Sequence, residues 1–550
     1  MRVSHNNKVS FLKVPILRKY VRREIRILSD TDRESFFEAM RETYFISPEE
    51  GRTRYGQEFK TIRHYVRKHL YGAAALECDH WHDGAGIMTH HVAFTWEYER
   101  NLQLINPSVT VPYWDYTYDA LKLKGNWEDS IIFDDDWFGK ASPTNKQHII
   151  TSGRFAYTPV MEDAGDYSNV TNSYGLLRSP WNTNPTPYIM RHHETLGEKA
   201  YKNGFPGCSD FATAFNSTNL GRIFYELNGQ THGPVHILIG GEWDQAMVDT
   251  SSASRFGVWH EKYDNYRKTF SKMAWGPSTK DFLLIAKTFW RYGVTRCPKF
   301  EKSDLVADGL GFNNSRSCFV PAEIREKYTD YELLTEVSPV LHWIDNLAAA
   351  MHWDPASKHY RMENFTAEEE ALFWSYLVDA LQDPGHPGEM YTSAAPYDPT
   401  FWPLHTFAER FLQLRRLYSY YGLFKLDETW SYVFTSAPSD THQVCDWQGL
   451  DYHDFSTIPS CDYSICPGHN GDDDIPFGNL VGKSSVTNKE FYDFITPLNK
   501  ALPYMYDNYR ADHCLEEGVS FSPENWHFYR GTDPNNYMVN IDQRLLKLFQ

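Results

Sequence analysis

The residues of this chain best suited to chemistry are its histidines, and their spacing points to metal. His232-Gly-Pro-Val-His236 places two imidazoles at i and i+4, one above the other on a helix face, where both reach one ion. Asp398-Pro-Thr-Phe-Trp-Pro-Leu-His405 supplies a third from a distant helix. Nearer the N-terminus, Cys78-Asp-His80-Trp-His82 and His90-His91, preceded by His69, offer five histidines where one ion needs three. Their neighbours Trp81, Ile87, Met88, Phe94 and Trp96 are apolar, and imidazoles buried among them require partners. Two three-imidazole sites side by side suit a paired copper centre that binds dioxygen, because imidazole suits copper and each ion keeps an open position.

The elements that must hold these groups are partly visible. Asp398 is a natural N-cap and Pro399 a natural first helical residue, which predicts His405 about two turns inside a helix. Glu409 follows at i+4, where its carboxylate would accept the proton of the imidazole nitrogen turned away from a metal; the alternative is a solvated charge pair with Arg410. Apolar residues over 223–239 predict a helix carrying His232 and His236 and ending at Gly240-Gly241. Gly233-Pro234 is awkward inside it, so the helical turn begins near His232 with Pro234 in its first turn. Residues 21–70 read as largely helical, with Phe59, Ile62, Val66 and Leu70 on one stripe. His69 shares that stripe, whereas His64 falls among Lys60, Arg67 and Lys68 on the solvated face.

Further along, Val109 to Trp114 is a short extended run and residues 116–210 are loop-dominated. Residues 242–397 form a long insertion between His236 and His405, with helical stretches over 282–292 and 367–381. A four-proline segment over 384–399 leads back to the core. After Tyr421 comes a turn-rich segment bearing Cys445, Cys461 and Cys466, and a helical reading resumes over 489–506.

The chain has 550 residues, 41% hydrophobic and 23% charged, enough for a large core and ordinary for a globular protein. A formal net charge of −18 argues against nucleic-acid partners, and no apolar run is long enough to span a membrane. Eight cysteines with no Cys-x-x-Cys pair, and Asn-x-Ser/Thr sequons at Asn169, Asn216, Asn313 and Asn364, lean towards disulfides, glycosylation and a secretory compartment. The N-terminus shows no clean signal peptide.

These motifs together resemble the tyrosinase, catechol oxidase and molluscan haemocyanin family of type-3 copper proteins. The first site of that family has an aromatic-Val-x-x-His, a His followed nine residues later by another, a downstream Glu and a Pro-Tyr-Trp-Asp. Here these are Tyr65-Val66-Arg-Lys-His69, His82 with His91, Glu99, and Pro112-Tyr113-Trp114-Asp115. The second site corresponds to His232, His236, Gly240-Gly241, Asp398-Pro399-Thr-Phe401 and His405. The resemblance implies a mainly α fold: an antiparallel four-helix bundle core holding a dinuclear copper site, with long loops. It also implies two copper ions, one on His69, His82 and His91 and the other on His232, His236 and His405, with dioxygen as co-substrate. The implied activity is that of a copper-dependent oxidoreductase of the polyphenol oxidase type, taking a small phenolic substrate to an o-quinone. The alternative is a haemocyanin-like oxygen-binding protein.

Departures refine this expectation. Gly233 stands where many tyrosinases carry an Asn that helps to deprotonate monophenols, which favours diphenols; Glu226 is the nearest carboxylate, although a plain helix-surface role suits it as well. His90 replaces the usual Trp before the third ligand and reads as structural. Cys78 is spaced for a thioether to His80, not to His82, and the nine-residue interval selects His82. The expected organisation is a dicopper domain over 1–420, with the helical insertion at about 242–397, and a cysteine-containing C-terminal extension over 421–550. Phe477 or Tyr504 of that extension would either cover the site or belong to the core.

Overall fold

A computed structural model describes residues 2–5, 8–11, 18–74, 79, 81–82, 86–168, 170–195, 204–243, 286–299, 318–338, 340–341, 351–362, 365–382, 385–430 and 471–521. His80, Cys78, Cys445, Cys461, Cys466 and the sequons at Asn169, Asn313 and Asn364 lie outside the described residues.

Ser29 and Ser47 start the first two helices, α1 (Asp30–Phe45) and α2 (Pro48–Tyr55), each hydroxyl accepting from the backbone N–H three residues on. Next, α3 (Ile62–Ala73) buries Ile62, Tyr65, Val66, His69, Leu70 and Ala73, one stripe at helical spacing that turns His69 inward. The central helix is α4 (Gly86–Ile105), buried on nearly every side from Gly86 to Leu102. A short α5 (Tyr116–Leu123) precedes a loop-rich stretch that leads to α6 (Cys208–Phe215).

The helix expected over 223–239 is one run with a change of winding. It comprises α7 (Leu220–Glu226), a π turn (Leu227–His232) and α8 (Gly233–Gly240), with Pro234 in the first turn of α8. Gly233 is where the winding changes, and its N–H reaches back five residues to the Asn228 carbonyl. A Cβ at 233 would lie 2.6 Å from that same oxygen, so glycine makes the wider turn passable here.

Within the insertion α9 (Ala367–Gln382) matches the expected helix, and α10 (Phe401–Tyr420) follows, buried from Phe401 to Tyr418. It packs along α4, as do α1 and α11 (Asn488–Phe494). The helix expected over 489–506 is cut short: α11 ends at Phe494, and Pro497 and Pro503 prevent its continuation.

Strands are few and paired two by two among the described residues. Four pairs are antiparallel: β1 (Arg2–His5) with β2 (Lys8–Phe11), β4 (Glu242–Trp243) with β7 (His386–Pro387), β5 (Met351–Asp354) with β6 (His359–Met362), and β8 (Asp474–Ile475) with β9 (Val486–Thr487). In the fifth, β3 (Tyr20–Arg22) runs parallel to β10 (Tyr504–Tyr506), joining segments 484 positions apart. The fold is mainly α.

One large apolar core runs from Ile25 to Phe521 and includes Phe477, Tyr504 and Tyr506 of the C-terminal segment. A smaller core lies within the insertion, around Phe289, Leu333, Leu334, Val378 and Leu381. Disulfides join Cys208 to Cys514 and Cys297 to Cys318, so one bond anchors the C-terminal segment and the other braces the insertion. Among the described residues, no helix is long and apolar enough to cross a membrane.

Candidate metal centre

His69, His82 and His91 converge, as do His232, His236 and His405, with one ring nitrogen of each lying within 4.8 Å of those of its trio. The trios are adjacent. The His91 and His405 rings stack at 4.7 Å between centroids with 6° between planes, and His232 lies 4.4 Å from His405. Phe401 fills the space behind them, 3.8 Å from His405 and 5.6 Å from His69 between ring centroids.

In four of the histidines the partner of one ring nitrogen fixes the state of the other. Nδ1 of His69 donates to the Ser393 carbonyl at 2.7 Å, that of His91 to Ile87 at 2.8 Å, that of His236 to Met390 at 2.9 Å, and that of His405 to Phe401 at 2.7 Å. A carbonyl can only accept, so in each of these four rings Nδ1 carries the proton and Nε2 is bare. Nε2 of His69, His91 and His405 is buried with no protein partner, as is Nδ1 of His232. Nε2 of His232 and of His236 face one another at 2.8 Å, which requires a shared proton or a cation. Burial, with repulsion from the neighbouring imidazoles, holds His69, His91, His232 and His405 well below the usual histidine range, and burial lowers His236 to about 4. Neutral rings with bare, inward-facing nitrogens are what a metal ion needs. Two copper ions fit this donor set.

His82 differs from the other five in lying on a turn instead of a helix. Asp79 accepts from its Nδ1 at 3.0 Å and from its backbone N–H at 2.9 Å. Asp79 in turn pairs with Lys287, and Asn228 of the π turn donates to the His82 carbonyl at 3.2 Å.

The other candidates fall as follows. His64 lies apart, half-buried beside Lys68, Lys60 and Arg67, where burial and those charges lower it to about 4. His90 is buried, with Nδ1 bonded to the Gly86 carbonyl, and packs against Trp81.

Three expectations need correction. Glu409 does not touch His405, because the imidazole turns back to the Phe401 carbonyl one turn earlier; nor is Glu409 solvated. It is buried and bound by Arg22, Tyr504, Tyr506 and Gln413. Asp398 does not cap the helix: its carboxylate is taken by Arg191 at 2.6 Å and by Thr400, α10 starts at Phe401, and His405 therefore lies one turn inside. Glu226 is no surface residue; it is buried and paired with Arg222. Of the two readings of the C-terminal aromatics, the core one holds: Phe477 lies under Lys68 and against Trp81, and Tyr504 is occupied with Glu409 and Arg22. Glu99 holds Arg22 at 2.9 Å and accepts from the Val111 N–H.

Sequence reasoning missed Asp79, Asn228, Lys287 and the carbonyls of Met390 and Ser393. Only Asp79 left a local signal, an Asp three residues before a candidate ligand. Beside His91, His232 and His405 lies a narrow cleft lined also by Ile87, Met88, Val92, Leu227, Asn228 and Ala408.

The site thus defines a helical protein with paired histidine trios made for two metal ions. Residues 53–273 match the common central domain of tyrosinase. Five of the six histidines fall within the match, and His405 lies beyond it. The chain is 27% identical over 251 residues to tyrosinase-like protein 2 of Margaritifera margaritifera, covering 45% of this chain and 49% of that one. It is 26% identical to a tyrosinase-like protein of Pinctada maxima over the same shares. The match thus spans about half the length of these relatives. Among solved structures, a tyrosinase from Burkholderia thailandensis aligns at 14% identity and a TM-score of 0.33, over 91% of this chain and 77% of that one. A polyphenol oxidase variant from Thermothelomyces thermophila aligns at 15% and 0.29, over 55% and 84%.

Proposed function

We propose that this protein is a type-3 copper oxidase that uses dioxygen to oxidise o-diphenols to o-quinones. The observation that carries the reading is the pair of adjacent trios, in which His69, His91, His232 and His405 each keep a buried ring nitrogen with no protein partner. A copper pair held there supplies dioxygen binding and electron transfer: two catechols lose two electrons and two protons each, and one dioxygen becomes two waters.

The chain's own residues do the rest. Backbone carbonyls fix four imidazoles in one tautomer, and burial keeps the rings neutral at pH 7. The cleft beside the trios is walled mainly by apolar side chains, Ile87, Met88, Val92, Leu227 and Ala408, which favour an apolar ring over a charged group once the cleft widens. Gly233 offers no side chain to hold a water for phenol deprotonation, Asn228 is committed to His82, and the described residues lining the cleft include no carboxylate. These features favour diphenols, which need no hydroxylation step, over monophenols. The two disulfides and an exposed sequon at Asn216 support a secretory setting.

The test is oxygen uptake by the copper-loaded chain with a simple catechol and with a monophenol, beside His236→Ala and His405→Ala. Sustained uptake on catechol that both substitutions abolish is expected. Two bound coppers with no uptake on either substrate would replace the oxidase with an oxygen carrier.

A further inference from the structure

Five of the six histidines stand on helices, where the backbone fixes the direction of the side chain. His82 stands on a turn, with its side chain 27% exposed, and something else must aim it. Four of the others donate Nδ1 to a backbone carbonyl, whereas His82 donates to a carboxylate that is itself only 3% exposed. One oxygen of that carboxylate, Oδ1, takes three donors: the Trp81 N–H at 3.1 Å, the His82 N–H at 2.9 Å and the ring nitrogen at 3.0 Å. The other, Oδ2, takes the Lys287 ammonium, buried at 6% exposure. Lys287 belongs to the insertion between His236 and His405, more than two hundred residues along the chain.

We propose that Asp79 and Lys287 are a positioning pair that holds the His82 ring with Nδ1 protonated and Nε2 turned to the first metal. The proposal rests on the dicopper reading of the two trios. Asp79 does two separable things: it builds the turn through backbone N–H groups, and it orients the ring. A carboxylate in that place also strengthens the ring as a donor, more than a carbonyl does. Lys287 compensates the buried charge and locks the carboxylate rotamer, acting on His82 only through Asp79. The insertion is thereby coupled to the first trio, although it runs between two histidines of the second, His236 and His405.

The experiment is copper binding by the full chain, measured by competition with a chelator as two separate affinities, with the melting temperature of the copper-free protein as a folding control. Asp79→Ala should weaken one of the two affinities by about 10- to 100-fold and leave the other within about threefold. Asp79→Asn keeps an acceptor for the turn and should fall between. Lys287→Met should weaken the same affinity by less, and the double variant Asp79→Asn with Lys287→Met should be no worse than Asp79→Asn alone, because the lysine has no separate route to the metal. Two affinities lowered equally, or both unchanged in Asp79→Ala and Lys287→Met, would overturn the positioning role. A wild-type chain that takes up no pair of coppers would instead refute the dicopper reading, and the positioning role with it.

Discussion

Arg22→Met should destabilise this protein from a point far along the chain from any metal ligand. Arg22 is fully buried and donates to Glu99 at 2.9 Å and to Glu409 at 2.7 Å, with its guanidinium 3.6 Å over the Tyr504 ring. Glu99 belongs to α4 and Glu409 to α10, so one cation joins the two central helices. Removing one partner of a buried pair costs about 3–5 kcal/mol, because a charge is left uncompensated. Here both carboxylates keep other donors, Val111 N–H for Glu99 and two tyrosines with Gln413 for Glu409, which favours the lower end, about 3 kcal/mol. A loss of that size lowers the melting temperature of a large domain by roughly 3–6 °C. The acid side supplies the control. Burial already raises the Glu409 carboxyl, and without the guanidinium it rises further, so protons replace the lost cation as pH falls. The defect should be largest at pH 7 and shrink towards pH 5. The assay is thermal melting of both proteins across that range, with and without copper. Because α4 and α10 carry His91 and His405, whose rings stack at 4.7 Å, the variant should also hold copper less tightly. A melting temperature within about 1 °C of wild type, or a defect that grows towards acid, would refute the argument.

Two further outcomes are expected. Gly233→Ala drives a methyl into the Asn228 carbonyl, so the π turn must shift; a cost of about 1–3 kcal/mol and loss of copper from the second trio should follow, read by melting and by metal content per chain. The copper-free protein should lose stability as pH falls below about 6.5, because the unfolded chain takes up protons that the buried neutral rings refuse. His236, lowered to about 4 and partly exposed, contributes at most about 3 kcal/mol across that window. Copper on the same nitrogens should flatten the dependence, and a copper-free melting curve unchanged between pH 7 and pH 5 would contradict it.

The helical positions of the ligands were legible because they rest on local periodicity. His69 lies on the apolar stripe of α3, and Gly240-Gly241 ends the helix of His232 and His236 where glycines at a C-terminus should. What stayed hidden depends on distant partners. Asp398-Pro399 has the form of a cap, yet Arg191 takes the carboxylate, and no local rule reveals that. Glu409 lies on the face of His405 as its spacing requires, but Arg22 competes for it from β3, 387 positions away. Lys287 is one lysine among many in the sequence until the fold brings it to Asp79.

The two trios also share a support that neither motif contains. His91 and His405 obtain their tautomer within their own helices, from carbonyls four residues back, so position on the helix suffices. His69 and His236 do otherwise, and both use the strap that precedes α10, through Ser393 and Met390. Arg178 pins that strap at one end through Glu389 at 2.5 Å, and Arg191 pins the other through Asp398. Gly240 presses against it as well: a Cβ there would lie 2.3 Å from the Tyr391 nitrogen. A single short segment therefore sets the donor nitrogen of one ligand in each trio. Displacing it would disturb both metals together, whereas the Asp79 turn governs only the first. The centre thus has one shared support and one private support, and variants at Glu389 and at Asp79 should differ in whether one copper or both are released.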